Sequence, residues 1–146
     1  MTGLKRIQDR GPVSEPLPYP GGGRILRFSD LPATARRASE LCQERNARDG
    51  LVLDLRILSD ATDFFIIASG DSDVHVRAIS DHVVRELAAE EGLRPAGVEG
   101  QPAGRWVLID YIDVVVHVFH PALRDFYQLE RLWGDAPMLG LGGGPP

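Results

Sequence analysis

The sequence of 146 residues has a single cysteine, Cys42, and few long apolar runs. A lone cysteine excludes an intramolecular disulfide framework and is typical of a reducing compartment. No apolar run approaches the ~20 residues that a membrane-spanning helix needs, and no apolar stretch typical of a secretory signal follows the early basic residues. We therefore expect a cytoplasmic protein with no membrane association, in which Cys42 is a buried packing thiol.

Basic residues are scarce over most of the chain. Residues 30–146 hold eleven Lys/Arg against nineteen Asp/Glu, a net charge of −8, whereas residues 1–29 hold five against two, a net charge of +3. An acidic body binds phosphate backbones poorly unless basic patches are present. Complementary charge speeds encounter with a basic protein and sets its orientation. The charge therefore predicts a basic protein partner and little direct nucleic-acid binding.

Proline and glycine divide the chain into three parts. Residues 1–28 are rich in both and have no sustained periodicity, so they are expected to form a flexible extension. Residues 29–139 have the length of one compact domain. Residues 140–146 are mostly glycine and proline and are expected to form a flexible tail.

Hydrophobic spacing predicts an α/β (α+β) domain, a mixed β-sheet with packed helices in the order α-β-β-α-β-β-α. The predicted strands are residues 51–55, 64–68, 106–111 and 114–119. The predicted helices begin at Ser29 or Asp30, at the 69–73 turn and at Ala122, and they end near Gly50, Gly92 and Gly134. The inner face of the second helix is expected to comprise Val76, Ile79, Val83 and Leu87. Residues 94–103 are expected to form a long loop.

Several segments together resemble the signature of the ribosomal silencing factor family (RsfS, or Iojap-like proteins). The matching segments are GRWVLIDY, DVVVHVFHP and FYQLERLWGDAP within residues 104–137, with LVLDLR at 51–56 and DFFIIASGDSDVHVRAISD at 63–81. The sequence departs from the family at Ile112, where glycine is common in the turn between two strands. A β-branched residue resists positive φ, so a tight primed hairpin turn is not expected here.

The resemblance implies a nucleotidyltransferase-like core without the enzyme's chemistry, and hence no catalysis and no cofactor. It implies binding to the large ribosomal subunit at a basic bridge protein, the fourteenth of that subunit. There the factor would sterically block joining with the small subunit and repress translation under nutrient limitation. Members of the family are often homodimers.

Residues 104–137 combine aromatic and acidic side chains in a way that suits a protein partner. Aromatic residues anchor protein interfaces, and acids face basic partners. Phe126, Leu129 and Trp106 are expected to pack in the core. The expected partner-binding residues are Tyr127, Glu130, Trp133, Asp135, Asp110 and Asp113.

Two other functions remain open from the residues alone. The first is a metal-dependent nucleotidyltransferase that uses Ser72, Asp110 and Asp113. Against it, Asp71 and Asp73 would place negative charge where phosphate should bind, and an odd spacing sends two strand carboxylates to opposite faces. The second is a generic adaptor that recruits another protein through the same acidic and aromatic surface.

The four histidines do not form a convincing metal motif. His117 and His120 are three residues apart, which on a strand points the rings to opposite faces. No cysteine lies nearby to complete a site. His75 and His82 are seven apart and share a helix face, which we expect to be exposed. No resident metal is therefore predicted.

Overall fold

The structure is a computed structural model that describes residues 26–127, 134 and 136–141; side chains of residues 125–127 are not described. The helices are α1 (Ala33–Glu44), α2 (Asp73–Glu91) and α3 (Pro121–Tyr127), and a short 3₁₀ turn spans Phe28–Asp30. The strands are β1 (Arg48–Asp54), β2 (Phe64–Ser69), β3 (Gly97–Glu99), β4 (Trp106–Asp110), β5 (Val114–Phe119) and β6 (Met138–Gly140).

The six strands form one mixed sheet in the order β3-β4-β5-β2-β1-β6. Only the central pair, β2 and β5, is parallel, with Phe64 opposite Val114 and Ser69 opposite Phe119; the other four pairs are antiparallel. The predicted mixed sheet with packed helices is confirmed. Two short edge strands were not predicted: β3 lies within the expected 94–103 loop, and β6 follows the last expected helix.

The first face of the sheet is covered by α1 and α2, which bury a continuous apolar core. The predicted inner face of α2 is confirmed, because Val76, Ile79, Val83 and Leu87 have no exposed surface. Alternate strand residues such as Ile66 and Val116 meet them from the sheet. Cys42 lies in the same core, and burial raises the pKa of its thiol to about 12. It is the packing thiol that was expected, since a neutral thiol behaves as a small hydrophobe.

Defined caps fix both ends of α2. The Ser72 side chain accepts a hydrogen bond of 3.1 Å from the His75 N–H, which satisfies one of the free donors of the first turn. Gly92 takes a left-handed conformation with φ 63°, and its N–H donates to the Ala88 carbonyl at 3.0 Å. The predicted helix end at glycine is therefore confirmed.

Charged side chains link α1 to α2 on the solvent side of the helix layer. Arg37 donates to both carboxylate oxygens of Glu90, at 2.7 and 2.8 Å, and to Glu44 at 3.0 Å. Glu44 also meets the His82 ring at 2.8 Å. These contacts hold the pKa of Glu44 and of Glu90 below the ordinary value. His82 is only 8% exposed, so its expected exposure was wrong.

The turn between β4 and β5 contradicts the sequence-based expectation. The Asp113 N–H donates to the Tyr111 carbonyl at 2.9 Å, and Ile112 between them has φ 73°. This is the γ-turn with positive φ, which is rare and strained. The expectation that Ile112 would resist positive φ was wrong because strand pairing outweighs the local preference, although the turn is a γ-turn and not the primed hairpin turn. Tyr111 and Val114 are already linked by a hydrogen bond of 2.8 Å.

Within the described ranges, every helix is too short or too polar to cross a lipid bilayer.

Candidate partner-binding surface

The second face of the sheet, opposite α1 and α2, carries three of the six Phe, Trp and Tyr side chains that the structure describes. Strand residues alternate between faces, and paired residues on neighbouring strands share a face. Trp106, Leu108 and Asp110 of β4 therefore face the same way, each paired with an odd-numbered residue of β5. Phe65 of β2 joins them through its pairing with Val115.

An aromatic cluster forms the centre of this second face. The rings of Trp106 and Phe119 stack with centroids 4.9 Å apart, and Phe65 meets the His117 ring edge-on at 4.5 Å. Such arrangements suit the quadrupoles of aromatic rings. The Trp106 indole N–H donates to Nδ1 of His117 at 3.2 Å. The cluster fixes the Trp106 ring against the sheet.

The Trp106 hydrogen bond determines the protonation state of His117. An indole nitrogen can only donate, so Nδ1 must accept and the neutral ring carries its proton on Nε2. Burial lowers the pKa of His117 to about 4, because the apolar surroundings disfavour the imidazolium. Nε2 is buried and has no hydrogen-bond partner among the described residues. His117 is therefore a neutral member of an apolar layer.

Several side chains of the second face are only half-buried. Phe65, Trp106, Leu108 and Val115 each retain intermediate exposure, and we refer to these four residues as the apolar strip. Asp110 is also half-buried and follows Leu108 on the same face. Aromatic residues beside polar rim residues are typical of protein interfaces. Trp106 was expected to pack in the core; its ring does stack on the buried Phe119, but it keeps part of its surface exposed.

Two of the four acids predicted to bind a partner, Asp110 and Asp113, lie together at one end of the sheet. An Asp110 carboxylate oxygen accepts a 2.7 Å hydrogen bond from the Ile112 N–H. The Asp113 carbonyl accepts bonds of 3.0 Å from the N–H groups of Asp63 and Phe64. Turn geometry therefore brings Asp110 and Asp113 close to the start of β2.

The other four predicted partner-binding residues are not described. Tyr127 is the last residue of α3, but its side chain lies outside the described residues, as do Glu130, Trp133 and Asp135. Their roles stay predictions. The structure does describe the backbone of α3, which leads into this segment. Arg124 on α3 donates to the Asp49 carbonyl at 2.6 Å and to the Ser69 hydroxyl at 3.1 Å. These bonds attach α3 to the strand ends.

Of the three residues of the nucleotidyltransferase alternative, Ser72 lies far from Asp110 and Asp113. Ser72 lies three residues beyond Ser69, the last residue of β2, whereas Asp113 precedes Val114, which pairs with the first residue of β2. Six strand residues separate the two ends by about 17 Å, which is too far for shared metal ions. Ser72 and Asp110 are also used locally, as a helix cap and a turn acceptor. The structure therefore does not bring Ser72 into one site with Asp110 and Asp113, as this alternative requires.

The histidines are likewise used within the fold. Nδ1 of His75 accepts from the Asp71 N–H at 2.8 Å, and its Nε2 lies 2.7 Å from the Arg45 carbonyl oxygen. Nδ1 of His120 accepts from the Ala122 N–H at 3.3 Å. In the part of the chain that the structure describes, no group of three or more His, Cys, Asp or Glu residues could hold a metal ion.

Comparisons with known proteins agree with the motifs. Residues 29–143 match the family model described as "Ribosomal silencing factor during starvation". "Ribosomal silencing factor RsfS" of Bacillus subtilis is 44% identical over 104 residues, covering 71% of this chain and 87% of the relative. "Mitochondrial assembly of ribosomal large subunit protein 1" of Mus musculus is 31% identical over 98 residues, covering 64% of this chain and 42% of the relative.

A solved structure supports the same relationship. A crystal structure of a Chromobacterium violaceum protein is 35% identical and superposes with a TM-score of 0.67, covering 83% of this chain and 92% of that chain. Together the matches indicate that the protein is a regulatory factor with a ribosome-associated silencing role. The chain belongs to the ribosomal silencing factor family.

Proposed function

We propose that this protein represses translation in the cytoplasm by binding the large ribosomal subunit and preventing the small subunit from joining it. Family membership supports the ribosome as the target. The name of the mouse relative refers to mitochondria and to the large ribosomal subunit. The proposed contact is the basic bridge protein, the fourteenth of the large subunit.

The observation that carries the proposal is the apolar strip with Asp110 at its end. Half-exposed aromatic and aliphatic side chains on a rigid sheet can exclude water from a contact without any reorganisation of the fold. The overall charge of −5 favours approach to a basic protein over ribosomal RNA. Asp113 is proposed to contribute at the same margin, and Tyr127, Glu130, Trp133 and Asp135 to extend the surface.

Steric exclusion requires no chemical step. A rigid domain that occupies part of the joining surface blocks the small subunit for as long as it stays bound. The block is reversible, because occupancy follows the concentration of the factor relative to its dissociation constant. Release needs only dissociation of the factor, so silenced subunits remain competent for later use.

A subunit-joining assay tests this function. Purified large subunits are mixed with small subunits, with and without saturating protein, and joined ribosomes are measured by sucrose-gradient sedimentation. We expect the protein to reduce the joined fraction. The Leu108→Glu variant should require at least about tenfold more protein, because a buried charge in the contact costs more than 1.4 kcal/mol.

The matched control is Val74→Glu. Val74 is 64% exposed and lies on α2, away from the second face. The Val74→Glu variant adds the same charge as Leu108→Glu and should block subunit joining as well as the wild-type protein does. An unchanged yield of joined ribosomes at saturating wild-type protein would exclude the proposal. Capture of binding partners from lysate distinguishes the proposed function from the adaptor alternative. If the proposed function is right, large-subunit proteins should dominate the recovered material. Ultracentrifugation of the free protein tests the expected homodimer.

A further inference from the structure

An open groove lies between α1 and β6, the strand at one edge of the described sheet. We call it the edge groove, and its volume is about 420 Å³. Phe28, Leu139 and Leu141 supply its apolar lining, and polar side chains of α1 supply most of the rest. Phe28 is 36% exposed, and the two leucines are half-buried although they pack against the core beneath α1 and α2. A single cavity therefore gathers these incompletely buried apolar side chains.

The edge groove also offers hydrogen-bonding groups to an added chain. The Gln43 side chain lines it, and Nε2 of this amide is buried with no hydrogen-bond partner among the described residues. A buried donor without an acceptor costs about 1–3 kcal/mol. On β6, the Leu141 N–H donates to the Gly50 carbonyl, so the N–H and C=O of Gly140 point away from β1. A Cβ on Gly140 would meet none of the described atoms within 4 Å, so the strand edge is open there.

The described chain enters the fold beside the edge groove. Leu26 is only 5% exposed, and its N–H donates to the Met138 carbonyl of β6 at 3.0 Å. Phe28, two residues later, already lines the groove. Residues 1–25, which lie outside the described residues, are thus covalently attached next to the cavity. A short flexible link gives such a segment an effective concentration in the millimolar range.

The sequence just before this entry point suits an extended segment that docks against a strand edge. Residues 16–20 read PLPYP, and glycines follow at 21–23. Alternate prolines favour the extended polyproline II form, which loses little entropy on binding. Proline lacks an N–H but keeps its carbonyl, so the segment can accept hydrogen bonds at an edge. Residues 21–25 can span up to about 17 Å. The family match begins only at residue 29, so the PLPYP segment lies outside it.

The charge of the edge groove also suits residues 1–25. Arg37 lines the groove and binds three carboxylates, at 3.2 Å for Glu40, 3.0 Å for Glu44 and 2.7 Å for Glu90. One guanidinium is therefore shared among three acids, two of which, Glu40 and Glu44, line the groove themselves. Residues 1–25 hold four Lys/Arg against two Asp/Glu. Opposite charge favours the encounter of the two surfaces.

We propose that the edge groove binds residues 16–20 of the same chain. Tyr19 packs against Phe28 and Leu139, and carbonyl groups of the segment accept from the Gly140 N–H and the Gln43 amide. The glycines at 21–23 allow the chain to reach the groove, and the predicted flexible extension is then confined to residues 1–15 and this link. The inference does not depend on the proposed function, because the edge groove lies beside α1, on the face opposite the apolar strip.

Intramolecular photo-cross-linking tests the occupant of the groove. A photoreactive phenylalanine analogue replaces Tyr19 in the full chain, and the matched control carries it at Val13, three residues before the first proline of the segment. Each protein is irradiated as a mixture of ordinary and ¹⁵N-labelled chains, and the products are identified by mass spectrometry. We expect the analogue at position 19 to join α1 or β6 of its own chain, and the analogue at Val13 to give no preferred product.

A groove variant makes this test specific. Phe28→Ser in the protein with the analogue at position 19 should lower the yield of the product about fivefold or more, because it removes apolar contact area. The short turn that carries Phe28 contains no buried residue, so the fold should persist, as thermal melting can verify. Val74→Ser is the control, since Val74 is 64% exposed on α2, and should leave the yield unchanged.

Each of the other outcomes would overturn the inference. Products of mixed isotopic composition would show that a second copy fills the groove. The same products from Val13 and position 19 would indicate non-specific contact, and a yield insensitive to Phe28→Ser would place the segment elsewhere. Absence of any product between position 19 and α1 or β6 would also refute it. None of these results bears on subunit joining, so the proposed function stands or falls separately.

Nuclear magnetic resonance of the full chain provides an independent test. Tyr19→Ser should shift the resonances of the Gln43 side-chain amide and the Gly140 backbone amide, because both groups lose their contacts with the segment. Val13→Ser is the matched control and should leave both resonances in place. Wild-type resonances for both amides in the Tyr19→Ser protein would contradict docking of residues 16–20.

Discussion

Replacing Ile112 by glycine should stabilise the protein. Ile112 has φ 73° at the centre of the γ-turn between β4 and β5, a conformation that glycine adopts without a steric penalty. The hydrogen bonds of the turn use backbone groups and the Asp110 carboxylate, so Ile112→Gly keeps all of them. The variant changes the local backbone strain and removes one side chain.

The expected gain follows from three opposing contributions. A non-glycine residue in such a conformation costs about 1–3 kcal/mol, and a β-branched residue falls in the upper part of that range. Glycine loses about 0.7 kcal/mol more backbone entropy on folding. Since Ile112 is 51% exposed, removing its side chain forfeits only about 0.5 kcal/mol of apolar burial. The net result is a stabilisation of about 1 kcal/mol, or a rise in Tm of about 4 °C.

Urea denaturation followed by circular dichroism measures the change in the free energy of unfolding. Ile112→Ala is the first control: it retains a Cβ, and therefore most of the strain, and should not stabilise. Ile57→Gly is the second, because Ile57 is exposed at the same end but is not among the described residues with positive φ. It should destabilise by about 0.5–1 kcal/mol. If Ile112→Gly destabilised as much as Ile57→Gly, the inferred strain would be absent.

Two further predictions concern buried titratable groups. The pKa of His117 falls from 6.5 to about 4 on burial, so the unfolded chain binds more protons between these values. Stability should drop by about 3 kcal/mol as the pH decreases through this window, a loss that denaturation of His117→Phe should lack. The pKa of the buried Cys42 thiol is raised to about 12, so iodoacetamide near neutral pH should alkylate it only after unfolding. Equal labelling rates in native and urea-unfolded protein would contradict its burial.

The central elements of the fold could be predicted because their residues show a strong and sustained pattern. The apolar run 64–68 extends over most of β2. The three- and four-residue spacing from Val76 to Leu87 extends over several turns of α2. The edge strands could not be predicted. Three residues of β3 or β6 show no periodicity, and β6 exists only because it pairs with β1.

Gly100 could have indicated the turn that precedes β4. It has φ 81°, and a side chain there would place its Cβ only 2.0 Å from the Trp106 carbonyl oxygen. A glycine before a predicted strand is a recognised turn signal. This turn signal is present in the sequence, but the surrounding glycines and prolines favoured the prediction of an irregular loop.

The candidate site shows what strand alternation can and cannot establish. The shared face of Trp106, Leu108 and Asp110 follows from even spacing along β4 and could have been predicted. Their remaining exposure could not, because it depends on which elements cover the second face. His82 illustrates the same limit on a helix. Its spacing from His75 defines a face, but only the packing of α1 against α2 determines that this face is buried beside Glu44.

The late position of β6 in the chain affects how the protein is made. β1 pairs with β6 along one side, through Val52 opposite Leu139 and Leu53 opposite Met138. During synthesis β1 emerges early, whereas this neighbour emerges more than eighty residues later. Until then the nascent sheet has an open edge of the kind that favours aberrant pairing between chains. The sheet of a factor associated with ribosomes is therefore completed only after β6 has been synthesised, long after β1 has left its own ribosome.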